Sequence, residues 1–394
     1  MSVTYPLGFR AAGVTAGFKP SGLPDLGLLV GDPGTTAAAL FTTNAVAAAP
    51  IEVGRDRLAR GHLRAVLVNS GQANAATGPR GIDDALRTTA EAATLLRAES
   101  DEVLPSSTGV IGEPLHVGRM RVAMPVVAAA LDTDGGEAFS RAIMTTDTVH
   151  KQATADVGAF RVGGCAKGVG MIAPNLATML AFVTTDATVA ADDLQRLARE
   201  RLAPRFNALT VDGCTSTNDT VLVLASGAAP VPGSVAWSEL AGAIDAVGER
   251  LVSQLIADGE GVTHAMIVDV EGAGTDDDAR LVAKSVAESP LVKTAVFGGD
   301  PNPGRFLQAV GAAGVALDSE RVDVSIGGVT LAVGGVISPA YFDPSSALAD
   351  EARAAMEEAE ISVRVRLGSG SGASRAYGCD LSYEYVRING EYTT

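Results

Sequence analysis

The sequence predicts an α+β protein, a layered sheet-and-helix sandwich with a smaller C-terminal α/β module. Three observations lead there. At 394 residues the chain is too long for one typical core and suits two or three packed modules. Its residues are 47% apolar but only 4% aromatic, so the core must be built by close packing of small side chains. Helix-period and strand-period segments alternate without a regular strand–helix–strand beat, which favours layered α+β over a parallel doubly wound sheet.

The elements follow in order. Residues 1–80 read as short apolar runs between Gly, Pro and Asn turns, with Ala65–Asn69 as a buried strand and a turn-rich stretch from Ser70 to Gly78. Asp83 to Ala98 carries Leu86, Ala90, Ala93 and Leu96 at helical spacing. Ser106 to Gly112 reads as a polar-to-glycine turn, and a short helix covers about 137–144. Strands flank Gly163-Gly164, and Met179 to Thr184 is a buried strand. A helix over 192–202 should stop at Pro204. Thr220–Ala225 is a strand, Ser238–Ala257 a long helix, and Ala265–Glu271 a strand. The acidic loop at Asp276-Asp277-Asp278 starts a helix to Ser289. Strands at 322–326 and 329–333, a helix at 345–358 and a strand at 361–367 precede a turn at 368–374 and a last strand, Leu381–Asn389. Residues 227–233 form a proline-rich loop or a domain joint.

The charge balance excludes some partners. Thirty basic against 46 acidic residues give a net charge of −16, which repels phosphate backbones and anionic membrane surfaces. Neither nucleic acid nor a membrane is an expected partner. Cys165, Cys214 and Cys379 have no paired spacing, which favours a reducing compartment and no zinc site. No signal peptide is visible at the N-terminus and no apolar run is long enough to span a bilayer, so the cytoplasm is expected.

The most informative segment is Lys167-Gly168-Val169-Gly170-Met171-Ile172-Ala173-Pro174-Asn175-Leu176-Ala177-Thr178-Met179-Leu180. It sets a threonine behind a small residue, between a glycine-rich turn and an apolar run. A threonine hydroxyl there can attack the carbonyl before it and convert that amide into an ester that water cleaves. The new chain would begin with Thr178, its hydroxyl the nucleophile and its own α-amine the base. An α-amine with a pKa near ~7.7–8.0 suits that role at neutral pH.

Other readings compete. Threonines are common in strands, so Thr178 taken singly reads as an ordinary strand residue. Gly168-Val169-Gly170-Met171-Ile172-Ala173 matches G-x-G-x-x-A, a dinucleotide fingerprint, with Asp186 near the ribose-binding position. However, Pro174 and Asn175 interrupt the helix such a site requires. Thr108-Gly109 offers a hydroxyl and a backbone N–H, the donor pair that acyl transfer needs for an oxyanion. Asn69, Asn74, Lys167 and Glu260 are polar residues in turn-like settings. Asp258-Gly259-Glu260-Gly261 can equally be a helix cap. His62, His116, His150 and His264 have no partner spacing, and no serine-hydrolase elbow, phosphate loop or zinc-protease motif occurs.

Taken together, the motifs resemble the ornithine acetyltransferases of arginine biosynthesis, also called glutamate N-acetyltransferases. The matching stretches are Asn69 to Ala75, Ser107 to Gly112, Ala142 to Thr148, Ala166 to Leu180, Asp258 to Gly261, Ser289 to Ala295 and Tyr385 to Thr394, in family order over nearly the whole chain. Pro303, where the family usually has Trp, and Ala76, where a Cys is frequent, depart from it. The resemblance implies a fold like that of N-terminal-nucleophile hydrolases and self-cleavage between Ala177 and Thr178 into chains 1–177 and 178–394. It implies an acetyl-enzyme on Thr178 and an oxyanion site at Thr108 and Gly109. It also implies substrate contacts from Thr145, Lys167, Thr178, Glu260, Asn389 and Thr394. The implied reaction moves an acetyl group from N-acetylornithine to glutamate without cofactor or metal, in an α2β2 assembly. Whether acetyl-CoA also serves as donor stays open. The alternatives are an N-terminal-nucleophile amidase or aminopeptidase, in which water ends the cycle, and a non-catalytic dinucleotide-binding protein.

Overall fold

The structure, a computed structural model, describes residues 2–61, 63–173, 179–229 and 236–391. His62, Ala177, Thr178 and Thr394 lie outside the described residues, as do residues 230–233 of the proline-rich loop. The chain divides into two compact units, one comprising Met1–Asn207, Thr215–Leu255 and Thr393–Thr394, the other Ala208–Cys214 and Ile256–Tyr392.

The first unit contains β1 (Phe9–Val14), β2 (Leu26–Gly31), β3 (Thr36–Phe41), α1 (Ala49–Arg60), β4 (Ala65–Gln72), α2 (Gly78–Leu96), β5 (Val103–Val110), α3 (Val117–Ala129), α4 (Gly136–Ala142), β6 (Lys151–Val157), β7 (Phe160–Lys167), β8 (Leu180–Thr185), α5 (Ala191–Leu197), α6 (Ala203–Phe206), β9 (Thr220–Ala225) and α7 (Trp237–Ala257). Among the described residues these strands form two sheets, in the orders β1-β2-β4-β5 and β3-β9-β8-β7-β6. The pairs β4/β5 and β8/β9 are parallel and the remaining pairs antiparallel.

Alternating side chains place the sheets face to face. Phe9, Leu29, Val66, Val68 and Leu104 of the first sheet share one core with Cys165, Leu180, Phe182, Leu222 and Leu224 of the second. The neighbours in sequence point the other way. Leu26, Leu28, Val30, Ala65 and Leu67 pack against Ala92 and Ala93 of α2 and Met120, Ala123 and Met124 of α3. On the far side of the second sheet α7 lies so close to β7 that a Cβ at Gly164 would sit 2.9 Å from Val247. The Gln254 side chain bonds both the N–H and the C=O of Gln152, covering part of the edge strand β6. The order helix, sheet, sheet, helix is the layered sandwich the sequence predicts.

The second unit contains β10 (Ala265–Ala273), α8 (Asp276–Glu288), α9 (Pro290–Phe297), α10 (Pro303–Gly311), β11 (Asp323–Ile326), β12 (Val329–Val333), β13 (Val336–Ile337), α11 (Leu348–Ala355), β14 (Glu360–Arg366), β15 (Gly372–Cys379) and α12 (Tyr383–Glu391). Its sheet runs β13-β12-β11-β14-β10-β15. In β14 every second residue is buried, so Ile361, Val363 and Val365 meet the helices while Ser362 and Arg364 face outward. Pro303 opens α10, where a missing N–H costs nothing, and Asn302 caps it by accepting from the Arg305 N–H.

Four expectations are corrected. Leu381–Asn389 is not a strand: α12 begins where the Ser382 hydroxyl accepts from the Tyr385 N–H, a serine cap that outweighs the alternating apolar pattern. The helix expected to stop at Pro204 continues through a π turn at 198–202 into α6, with Pro204 in the first turn, where it is tolerated. Ser106–Val110 belongs to β5 rather than to a turn, because it pairs in parallel with β4. Gly163-Gly164 lies within β7, since only glycine leaves room there for the Ser2 backbone and for α7.

The shared core of the two sheets is testable at Phe182, fully buried and edge-to-face with Phe139 at 5.2 Å between ring centroids. Phe182→Ala is expected to cost about 3–5 kcal/mol, read as a fall in the denaturant midpoint with an unchanged slope.

Candidate active site

The first cluster forms where β4, β5 and β7 end in the first unit. Thr108 and Gly109 close β5. There Gln72 of β4 faces both Thr108 and Val110, a bulge that removes one residue from regular ladder pairing. Gly109 has φ +130, and a Cβ on it would lie 2.3 Å from the carbonyl carbon of Gly71, so only glycine fits. The Ser107 hydroxyl donates to Asn69 Oδ1 at 2.6 Å, and Asn69 Nδ2 donates to the Gln72 carbonyl at 2.8 Å. Asn69 therefore lies within β4, not in a turn, and steadies the bulge. Asn74, with φ +50, donates to the Gly81 carbonyl and ties down the start of α2.

Lys167 ends β7, and its Nζ donates to Thr108 Oγ1 at 3.1 Å, joining residues 59 apart in sequence. A hydroxyl that accepts from an ammonium keeps its own O–H to donate elsewhere. The contact therefore polarises the Thr108 hydroxyl.

Asp147 organises this corner. It accepts from Lys151 Nζ at 2.7 Å, from the Gly168 N–H at 2.8 Å and from the Thr145 N–H at 3.0 Å. Burial pushes its carboxyl up, but the charges of Lys167 and Lys151 outweigh burial and hold it down at about 2. One buried carboxylate thus serves two buried ammonium groups, bonded to Lys151 and acted on by the charge of Lys167. Lys19 is pushed down to about 8 by burial, which the charge of Asp25 opposes and that of Lys167 reinforces.

The start of β9 completes the cluster. Asn218 Nδ2 donates to the carbonyls of Ala73 at 2.6 Å and Ser107 at 2.9 Å. Asp219 Oδ1 accepts from the Met179 N–H at 3.1 Å. Sequence reading assigned no role to Asp147, Lys151, Asn218 or Asp219. Charged and amide residues bordering apolar strands were the available signal.

The second unit holds another predicted pair. Glu260 lies in the turn after α7, and Asn389 of α12 donates from Nδ2 to Glu260 Oε2 at 2.9 Å. Of the sequence-predicted residues, Thr108, Gly109, Thr145 and Lys167 thus gather in the first unit and Glu260 and Asn389 in the second, while Ala177, Thr178 and Thr394 lie outside the described residues. The dinucleotide reading is not supported at Gly168, whose N–H is committed to Asp147. Among the described residues no helix starts at 168–173.

Comparison with known proteins decides the family. The ArgJ family pattern matches residues 10–394. The chain belongs to the ArgJ family. It is 45% identical over 411 residues to the arginine biosynthesis bifunctional protein ArgJ of Thermosynechococcus vestitus, covering 100% of this chain and 98% of that one. It is 46% identical over 395 residues to the protein of the same description from Thermus thermophilus, covering 100% of both. A solved ornithine acetyltransferase of Mycobacterium tuberculosis, complexed with ornithine, is 42% identical over 44% of this chain and 94% of that one, with a TM-score of 0.43. The expected membership of this family of arginine biosynthesis is borne out.

Asp147→Asn should remove the buried carboxylate to which the Lys151 ammonium is bonded. Breaking such a buried pair typically costs about 3–5 kcal/mol, measurable by denaturant titration. The pH dependence has a definite sign. A carboxyl depressed in the folded state contributes stability above its unfolded pKa of about 4 and loses it as pH falls toward about 2. Acid titration of the wild type should show this loss, and the variant should lack it.

Proposed function

We propose that this chain carries out an acetyl transfer from N-acetylornithine to glutamate by a two-step route through an acetyl ester on Thr178. Family membership supports the reaction. The Lys167–Thr108 contact is the observation that carries the mechanism, because it supplies a polarised hydroxyl donor beside the Gly109 backbone.

Maturation comes first. The Thr178 hydroxyl attacks the Ala177 carbonyl, the C–N bond breaks so that the amide becomes an ester and the Thr178 α-amine is freed, and water then cleaves the ester into an Ala177 carboxylate and the Thr178 hydroxyl. The products are chains 1–177 and 178–394. In turnover the hydroxyl attacks the acetyl carbonyl and the α-amine accepts its proton. The Thr108 O–H and the Gly109 N–H hold the developing oxyanion. The C–N bond breaks, ornithine leaves with the proton, and the glutamate amine attacks the ester, regenerating Thr178. One amide replaces another, so no nucleotide is consumed. Lys167 and Thr145 face the substrate carboxylate end, and Glu260, held by Asn389, pairs with the ornithine side-chain ammonium, with Thr394 as a further contact. The two chains stay together as α2β2, and the enzyme works in the cytoplasm.

Purified protein should separate on denaturation into pieces of 177 and 217 residues, the larger beginning Thr-Met-Leu. Thr178→Ala should remain one chain. A wild type that stays whole contradicts the scheme.

Thr108→Ala should lower kcat by on the order of 10²–10³ with a smaller change in KM, the cost of removing one oxyanion donor. A variant with normal steady-state kinetics takes Thr108 out of the site.

A further inference from the structure

The Asn218-Asp219 dipeptide sits where the parallel strands β8 and β9 begin, and its two side chains reach different parts of the site. Asn218 holds the Ser107 carbonyl, one residue before the oxyanion threonine. Asp219 holds the Met179 N–H, one residue after Thr178. The Met179 carbonyl in turn accepts from the Thr220 N–H at 3.1 Å, so Met179 is fixed from both sides. Asp219 is 1% exposed, and its second oxygen, Oδ2, is buried with no hydrogen-bond partner. The hydroxyls of Ser216 and Thr42 lie toward the carboxyl without completing a bond to Oδ2, and that of Thr42 is given to the Ser216 carbonyl.

A buried carboxyl oxygen without a partner is costly and calls for a reason. We propose that Asp219 is the positioning residue of the nucleophile: Oδ1 fixes the amide of Met179, and Oδ2 receives the α-amine that cleavage creates at Thr178. The proposal rests on the reading of Thr178 as nucleophile. The α-nitrogen of residue 178 is three bonds from the Met179 nitrogen, so covalent geometry keeps the two within about 4 Å. In the uncut chain that α-nitrogen is an uncharged amide, and burial pushes the Asp219 carboxyl well above the ordinary range. Cleavage replaces the amide by an ammonium, and the buried carboxylate gains an opposite charge beside its unpartnered oxygen. The pair then orients the amine toward the hydroxyl of its own residue. The charge of Lys167 on β7 acts on Asp219 and favours its ionised form. Met179 before β8, Thr42 after β3 and Ser216 bring no charge.

The test is Asp219→Asn in the full chain, followed by intact mass and by the pH profile of kcat/KM with N-acetylornithine and glutamate. Asparagine keeps an oxygen for the Met179 N–H, so cleavage into the two pieces is expected to persist. A carboxylate beside the amine favours its protonated form, and the amine works unprotonated. Without the carboxylate the acid limb should therefore move to lower pH by about one unit. With the amine no longer oriented, kcat should fall by on the order of ten- to a hundredfold while KM changes little. A cleaved Asp219→Asn with wild-type kcat and an unmoved acid limb overturns the proposal and leaves Thr178 as nucleophile. A wild type that is not cleaved overturns the nucleophile reading instead. If Asp219→Asn does not fold, Asp219→Glu replaces it. A lowered kcat with the acid limb at wild-type pH supports the proposal, and an unchanged kcat overturns it.

Discussion

The site depends on one buried charge arrangement, Asp147 bonded to Lys151 and under the charge of Lys167. Ammonium groups this deep in a protein are tolerated only beside a carboxylate that also satisfies its remaining lone pairs. Asp147 does so with two backbone amides, from Thr145 and Gly168, besides Lys151. The chain thereby fixes the exit of β7 and the loop before β6, and with them the direction of Lys167 toward Thr108. Replacing the cluster by apolar residues could preserve a core, but it would remove the polarised donor. The buried charges here fix geometry rather than add stability, since buried pairs contribute little net free energy.

Position in the sheets explains why these particular residues meet. β4/β5 and β8/β9 are the parallel pairs of the first unit. Thr108 and Gly109 stand at the end of β5, where the β4/β5 pairing is broken by a bulge, and Asn218 and Asp219 lie just before β9. Asn218 bridges the two sheets through the Ser107 carbonyl. The second unit contributes its own polar pair, Glu260 with Asn389, and there the glycine at 261, with φ +68, allows the turn that carries Glu260.

Much of the fold is legible in the sequence where packing and local preference agree. The helix read at 83–98 has a regular apolar face and is observed as α2, and Thr220–Ala225 is buried on both faces and reads as a threonine followed by an uninterrupted apolar run. The C-terminal segment fails because Tyr383, Tyr385 and Arg387 alternate as in a strand, whereas the Ser382 cap makes a helix that leaves Tyr383 and Val386 exposed. Thr108, Gly109 and Lys167, singled out by residue chemistry and family resemblance, lie together in the structure. Asp147, Asn218 and Asp219 were not legible in the sequence. Their roles arise from contacts across 21 to 145 residues, which no local pattern carries.

The central claim is that the acetyl group passes through Thr178. Incubating the enzyme with N-acetylornithine alone, quenching in acid and mapping the 178–394 chain by mass spectrometry tests it most directly. The account predicts one added acetyl group, located on Thr178 and discharged by glutamate. An enzyme that turns over both substrates but never carries an acetyl group there would contradict it.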